Sequence, residues 1–135
     1  LFYSMFGFQR TGDSIWAIDF EVVHFGDPAF DVAFLLNHLL LKWVHRGMTA
    51  GWILDEAHTF TRELARQLPA QWPAIEESTL LHLPALMLAR VDGKSPAEYL
   101  SADERPFVRA RALEWVARHP ASVEAAIDEA SRWRF

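Results

Sequence analysis

The chain has 135 residues, 51% of them apolar with ten Phe and six Trp, so it can bury one domain's core and is too hydrophobic for a disordered segment. Its formal charge is −5 and its basic residues are scattered, which leaves no nucleic-acid footprint. The absence of Cys excludes disulfides, thiolate metal sites and a Cys nucleophile, and is compatible with a cytoplasmic location.

Taken in chain order, Thr11-Gly12-Asp13 is a turn signal followed by strand-like composition over residues 14–19, for which residues 1–9 are the expected antiparallel partner. From Pro28 onward the apolar spacing becomes helical. Asp27-Pro28 predicts an N-cap followed by a first-turn proline, opening a helix that runs through Val44 and stops near Gly47. Ile53, Ala57, Phe60 and Leu64 mark a second helix that ends by Pro69, and a third is expected from about Pro73 to Val91 with a kink at Pro84. Asp92-Gly93-Lys94 is a turn. Ser95-Pro96-Ala97-Glu98 has capping-box spacing and predicts a short helix. Val108, Ala112, Trp115 and Val116 give a further helix stopped by Pro120, and Val123, Ile127, Ala130 and Trp133 give the last. The expected fold is mainly α, a short N-terminal β-hairpin (1–21) followed by about six helices in one helical subdomain (27–135). No apolar run reaches the roughly 18 residues of a membrane span, since Asn37 and His38 interrupt the longest one over residues 32–41. The N-terminus shows no signal peptide and begins without Met, which suggests a fragment.

Chemistry concentrates between Asp19 and Asp31, where Asp19, Glu21, Asp27 and Asp31 place four carboxylates, with His24, within 13 residues. Asp19 closes an apolar strand, a rigid perch for a carboxylate. Mg²⁺ takes hard oxygen ligands, commonly one or two carboxylates plus substrate phosphates, so Asp19 is either a metal ligand or the cap of the following turn. Asp27 has a structural role as the helix cap. Asp31 sits in the first helical turn, where the helix dipole favours an anion by about 0.3–1 kcal/mol. Spacing alone goes no further than a candidate metal site.

The segments Ile18-Asp19-Phe20-Glu21, Gly26-Asp27-Pro28 and Asp31-Val32-Ala33 resemble the second metal-binding motif of the aminoglycoside phosphotransferase family and its choline-kinase-like relatives. The stretch from Ala89 to Pro96 and on to Tyr99-Leu100 is similar to a helical part of bacterial members. The resemblance covers residue 15 to about residue 116. It implies the C-terminal lobe of a protein-kinase-like fold, with ATP and Mg²⁺ as cofactors, Asp19 as the metal and cofactor ligand, and Asp27 and Asp31 as supports of the site. The implied acceptor is a small-molecule hydroxyl, cationic acceptors included, for which Glu76, Glu77, Asp92 and Glu98 are candidate partners. The chain departs from the family upstream. Counting back from Asp19 puts Phe2 where the catalytic base belongs and Gly7 where the second Mg²⁺ ligand belongs, so no catalytic residue is assigned. The nucleotide-binding lobe has no room in these residues, and that N-terminal kinase lobe is the expected partner; neither nucleic acid nor membrane is expected.

Two other classes compete. A non-catalytic helical interaction module that kept the scaffold accounts for the missing base and Asn. A metal-dependent hydrolase would use Asp19, His24 and Asp27, with Asp55 and His58 an i, i+3 pair of little weight because no second Glu-x-x-His accompanies it.

Overall fold

The computed structural model describes residues 7–11, 14–18 and 25–134, and it is mainly helical. Two five-residue strands, β1 (Gly7–Thr11) and β2 (Ser14–Ile18), run antiparallel, with Gly7 opposite Ile18 and Thr11 opposite Ser14. Residues 1–6 of the expected partner strand, and Asp19 at the expected strand end, lie outside the described residues.

The first helix, α1 (Pro28–Arg46), begins as its sequence dictates. Asp27 is extended, its Oδ1 accepts the Ala29 N–H at 2.9 Å, and Pro28 contributes a fixed φ in the first turn. At the other end Gly47 takes φ +70°, a conformation that glycine adopts without strain, and donates its N–H to Trp43 O at 2.9 Å. Between these stops Ala29, Val32, Ala33, Leu36, Leu40 and Leu41 lose nearly all contact with water. A fully buried Leu contributes about 1.5–3 kcal/mol, so this helix is the spine of the core.

A 3-10 turn (Met48–Ala50) leads to α2 (Trp52–Gln67), which ends at Leu68, the residue that Pro69 forces out of helical conformation. The next helix, α3 (Trp72–Asp92), packs most extensively on α1 and on α4 (Glu104–Ala117). Helical assignment runs unbroken across Pro84, the expected kink site, and Pro84 itself is buried. α3 ends at the extended cap residue Gly93, whose N–H donates to Ala89 O at 3.0 Å. A Cβ there would stand 2.4 Å from that oxygen, so no larger residue fits without a shift.

One expected helix does not form. Residues 93–103 are bends and turns, and the capping-box spacing at Ser95–Glu98 opens nothing. The Arg90 guanidinium donates to Ser95 O at 2.6 Å and to Ser95 Oγ at 3.2 Å, while the Ala97 N–H donates to Arg90 O at 2.7 Å. These bonds fold the segment back onto the end of α3. The working box lies six residues on, where the Ser101 N–H donates to Glu104 Oε2 at 2.7 Å and the Glu104 N–H donates to Ser101 Oγ at 3.2 Å. It launches α4.

The last helix, α5 (Val123–Ala130), is capped by Ser122, whose Oγ accepts the Ala125 N–H at 3.0 Å. It stops short of Trp133, which the sequence pattern places inside it. A turn instead returns the Trp133 N–H to Ala130 O at 3.0 Å, and the ring packs 5.2 Å from Trp115 and 6.0 Å from Phe107. Five α-helices are therefore described, against about six expected.

Candidate functional site

Asp19, Phe20, Glu21 and His24 lie outside the described residues, so the candidate site is seen from its C-terminal side, Phe25 to Asp31. Asp27 is half exposed and divides its carboxylate between two tasks. Oδ1 caps α1, and Oδ2 lies 3.3 Å from Nε2 of His82 on α3. Asp31 occupies the first turn of α1 and is half-buried. Phe25, just before the cap, is 97% exposed.

His82 belongs to a run of rings along the junction of α1 and α3. It tilts against Phe30 at 5.8 Å, Phe30 stacks on Phe34 at 6.2 Å, and Phe34 meets His38 at 4.5 Å. The His38 Nδ1 is tied to Phe34 O at 2.9 Å. Thr79 Oγ1 reinforces the same junction by bonding Ile75 O at 2.7 Å within its own helix and approaching Ala29 O at 3.4 Å. The acid-bearing start of α1 is thus fixed to a rigid neighbour. Sequence reasoning missed His82, because it stands 55 residues from Asp27 and no local pattern marks it.

The other candidate residues scatter. His58 places Nε2 3.2 Å from Asp128 on α5, so it joins two helices rather than forming a site with Asp55. Glu76 accepts the Val123 N–H at 2.9 Å at the start of α5. At the far end of α3, Asp92 is held bidentately by Arg109, whose hydrogen bonds keep its carboxyl below the usual Asp range. Sixteen residues of helix, about 24 Å, separate these two acids. With Glu77 and Glu98 exposed elsewhere, the four acids form no common pocket. Among the described residues no group of three His, Cys, Asp or Glu is placed to hold a metal ion.

A second polar cluster joins the end of α1 to the start of α4. Glu104 is 7% exposed and accepts from both the Ser101 N–H and His45 Nδ1, the latter at 3.2 Å. The Tyr99 ring lies 5.5 Å from His45, and burial pushes its hydroxyl up from the usual Tyr value. His45 at the C-terminal end of α1 and Glu104 at the N-terminal end of α4 tie the two helix ends together, so this cluster has a sufficient structural role.

One concavity stands apart. A groove of about 310 Å³ runs along α2, lined among the described residues by Glu56, Thr59, Phe60, Glu63, Leu64 and Gln67. Hydrogen bonds from Arg66 and then Gln67 lower the Glu63 carboxyl to about 2, so it is an anion throughout the physiological range. No helix among the described residues is long and apolar enough to cross a membrane.

Compared with known proteins, the chain matches no family model, no curated protein and no solved structure.

Proposed function

We propose that the chain is the helical, C-terminal part of an ATP-dependent phosphotransferase that phosphorylates a hydroxyl of a small molecule, resembling the aminoglycoside phosphotransferase and choline-kinase-like family. The observation that carries this is one stretch of sequence: Ile18-Asp19-Phe20-Glu21, Gly26-Asp27-Pro28 and Asp31-Val32-Ala33, at the passage from strand to helix. On this reading the β1–β2 ribbon is the edge that carries Asp19, and Asp19 holds the Mg²⁺ of ATP. Phosphoryl transfer depends almost wholly on positioning and charge neutralisation, so one metal-binding carboxylate outweighs many peripheral contacts. Asp27 and Asp31 keep the turn and the first helical turn in place. The missing N-terminal kinase lobe supplies the nucleotide site, the acceptor is a small hydroxyl compound, cationic ones included, and the location is cytoplasmic. Phe2 and Gly7, at the positions of the base and the second metal ligand, support a chain that is inactive alone. The same two residues favour the second reading, a helical interaction module derived from the scaffold.

Phosphorus NMR of ATP and Mg²⁺ with the purified 135-residue chain should show no turnover with any acceptor. A form extended upstream to include a nucleotide lobe and catalytic loop should transfer phosphate. There, Asp19→Ala should lower kcat by orders of magnitude with little change in Tm, whereas Asp27→Ala should cost about 0.5–2 kcal/mol of stability through the lost cap. Turnover by the short chain, abolished by Asp19→Ala, would overturn the incomplete site; undiminished kcat in the extended Asp19→Ala form would overturn the metal assignment. An extended form with no activity would leave the interaction module as the better reading.

A further inference from the structure

The segment after α3 carries one hydroxyl set apart by its surroundings. Ser95 is exposed, lies outside any helix or strand, and is followed by Pro96. That pair is the only Ser-Pro or Thr-Pro dipeptide in the 135 residues. Proline fixes its own φ, donates no N–H, and biases the residue before it toward extended backbone. The Arg90 guanidinium, half-buried in the last turn of α3, donates to Ser95 O at 2.6 Å and to Ser95 Oγ at 3.2 Å. Lys94, the adjacent residue, is exposed. Among the described residues neither cation has a carboxylate within ion-pair distance. Two acids stand three residues from Ser95: Asp92 is held by Arg109, and Glu98 is exposed. A neutral hydroxyl leaves both positive charges uncompensated, and a phosphate ester on the same oxygen meets them.

We propose that Ser95 is a phosphorylation site and that Arg90 and Lys94 receive its phosphate. The donor is a nucleoside triphosphate, delivered by a separate serine/threonine protein kinase that reads a proline after the acceptor. Ser95 Oγ bonds to the γ-phosphorus, and the bond from that phosphorus to the diphosphate oxygen breaks. The hydroxyl proton passes to the base of the kinase, and the nucleoside diphosphate leaves. The ester carries about −1.5 to −2 charge at pH 7 and presents three acceptor oxygens. Arg90 commits only one of its nitrogens to Ser95, so its planar fork has donors left for two phosphate oxygens at once. The consequence is local order. The bonds from Arg90 to Ser95, and from the Ala97 N–H to Arg90 O at 2.7 Å, fold this segment onto the end of α3. The same segment sets the Tyr99 ring 5.5 Å from His45 at the end of α1. A phosphate held by Arg90 therefore tightens the tie between the ends of α3 and α1. This inference does not depend on the phosphotransferase reading.

The test treats the full chain with ATP, Mg²⁺ and a purified proline-directed serine/threonine protein kinase, and reads it by mass spectrometry and thermal melting. One phosphate should enter, at Ser95, and Ser95→Ala should take none. The phosphorylated chain should melt about 2–6 °C above the unmodified one, because new charge-assisted bonds order the segment. Arg90→Gln, phosphorylated in the same way, should lose most of that gain, and Lys94→Gln part of it. Lys94 is exposed, so its variant should keep the wild-type far-UV circular dichroism and decides the matter if Arg90→Gln fails to fold. Inorganic phosphate should stabilise the unmodified chain and its Arg90→Gln variant alike, through general salt exclusion. Absence of phosphate at Ser95, a phosphorylated chain that melts no higher, or an undiminished gain in a folded cation variant each overturns the proposal. So does a stabilisation by free phosphate that requires Arg90, which would mark a site for dissolved anions instead of a modified serine.

Discussion

Asn37 sits in the middle of α1, wholly removed from solvent, and among the described residues neither its Nδ2 nor its Oδ1 has a hydrogen-bond partner. A buried amide left unpaired costs about 1–3 kcal/mol, while an apolar group of similar shape at the same place costs nothing in desolvation. Asn37→Leu should therefore raise the unfolding free energy by about 1 kcal/mol in a urea titration. A decrease of that size would show that the amide is satisfied in solution by water or by another part of the chain. Asn37 and Asp27 also show where sequence ends as a guide to single residues. Asn37 is visible as a break in the apolar run over residues 32–41, but whether its amide finds a partner is decided by residues distant in sequence. Asp27 is legible as a cap because Asp-Pro is a local signal, read by the amide two residues away. Its second oxygen faces His82, and nothing within a helical turn of Asp27 announces that.

At the level of elements, the chain carries two Ser-x-x-Glu spacings six residues apart, and only the second caps a helix. The rule that identifies them is local and scores both alike. What separates them is the surroundings. Arg90 engages both oxygens of Ser95, and Glu104 gains a second donor in His45 from α1. The tertiary partners decide the register. Ser101→Ala should thus cost about 0.5–2 kcal/mol, the usual range for a lost N-cap, with the loss visible in chemical denaturation. Ser95→Ala keeps the bond from Arg90 to the backbone carbonyl and should cost much less. Equal losses for the two variants would mean that the reciprocal bonds at Ser101 contribute nothing beyond an ordinary loop contact. The boundaries that were legible, at Asp27-Pro28, Gly47 and Leu68-Pro69, are those where cap and stop residues act on their own backbone. Trp133 was misplaced in the last helix for the opposite reason: its apolar spacing reflects burial against Trp115 and Phe107, which a turn achieves as well as a helix.

Across the whole molecule, α5 is the element on which the other four converge. Trp43 Nε1 of α1 donates to Ala130 O at 3.0 Å, and Arg62 of α2 reaches Glu124 at 2.7 Å. Glu76 of α3 takes the Val123 N–H, and Trp115 Nε1 of α4 donates to Glu129 at 2.9 Å. Glu129 is pushed up by burial, but the bonds from Trp115 and Arg118 outweigh this and leave its carboxyl below the usual value, so it is ionised when it receives them. An eight-residue helix is too short to hold itself together in water, where about 12–15 residues are marginal. It is stable because the bundle grips it, and the bundle gains in return a lid over its core. Val123 and Ile127 are fully buried and together contribute about 3–6 kcal/mol. Trp133 adds its own burial. Against a total stability of about 5–15 kcal/mol, that share decides whether the chain folds. A chain ending at Ala121 should retain much of its far-UV helical signal, lose the near-UV signal of its packed tryptophans, and melt without a cooperative transition. If the shortened chain kept a sharp transition within a few degrees of the intact one, α5 would be an appendage, and the core would be closed by the faces of α1, α3 and α4 alone.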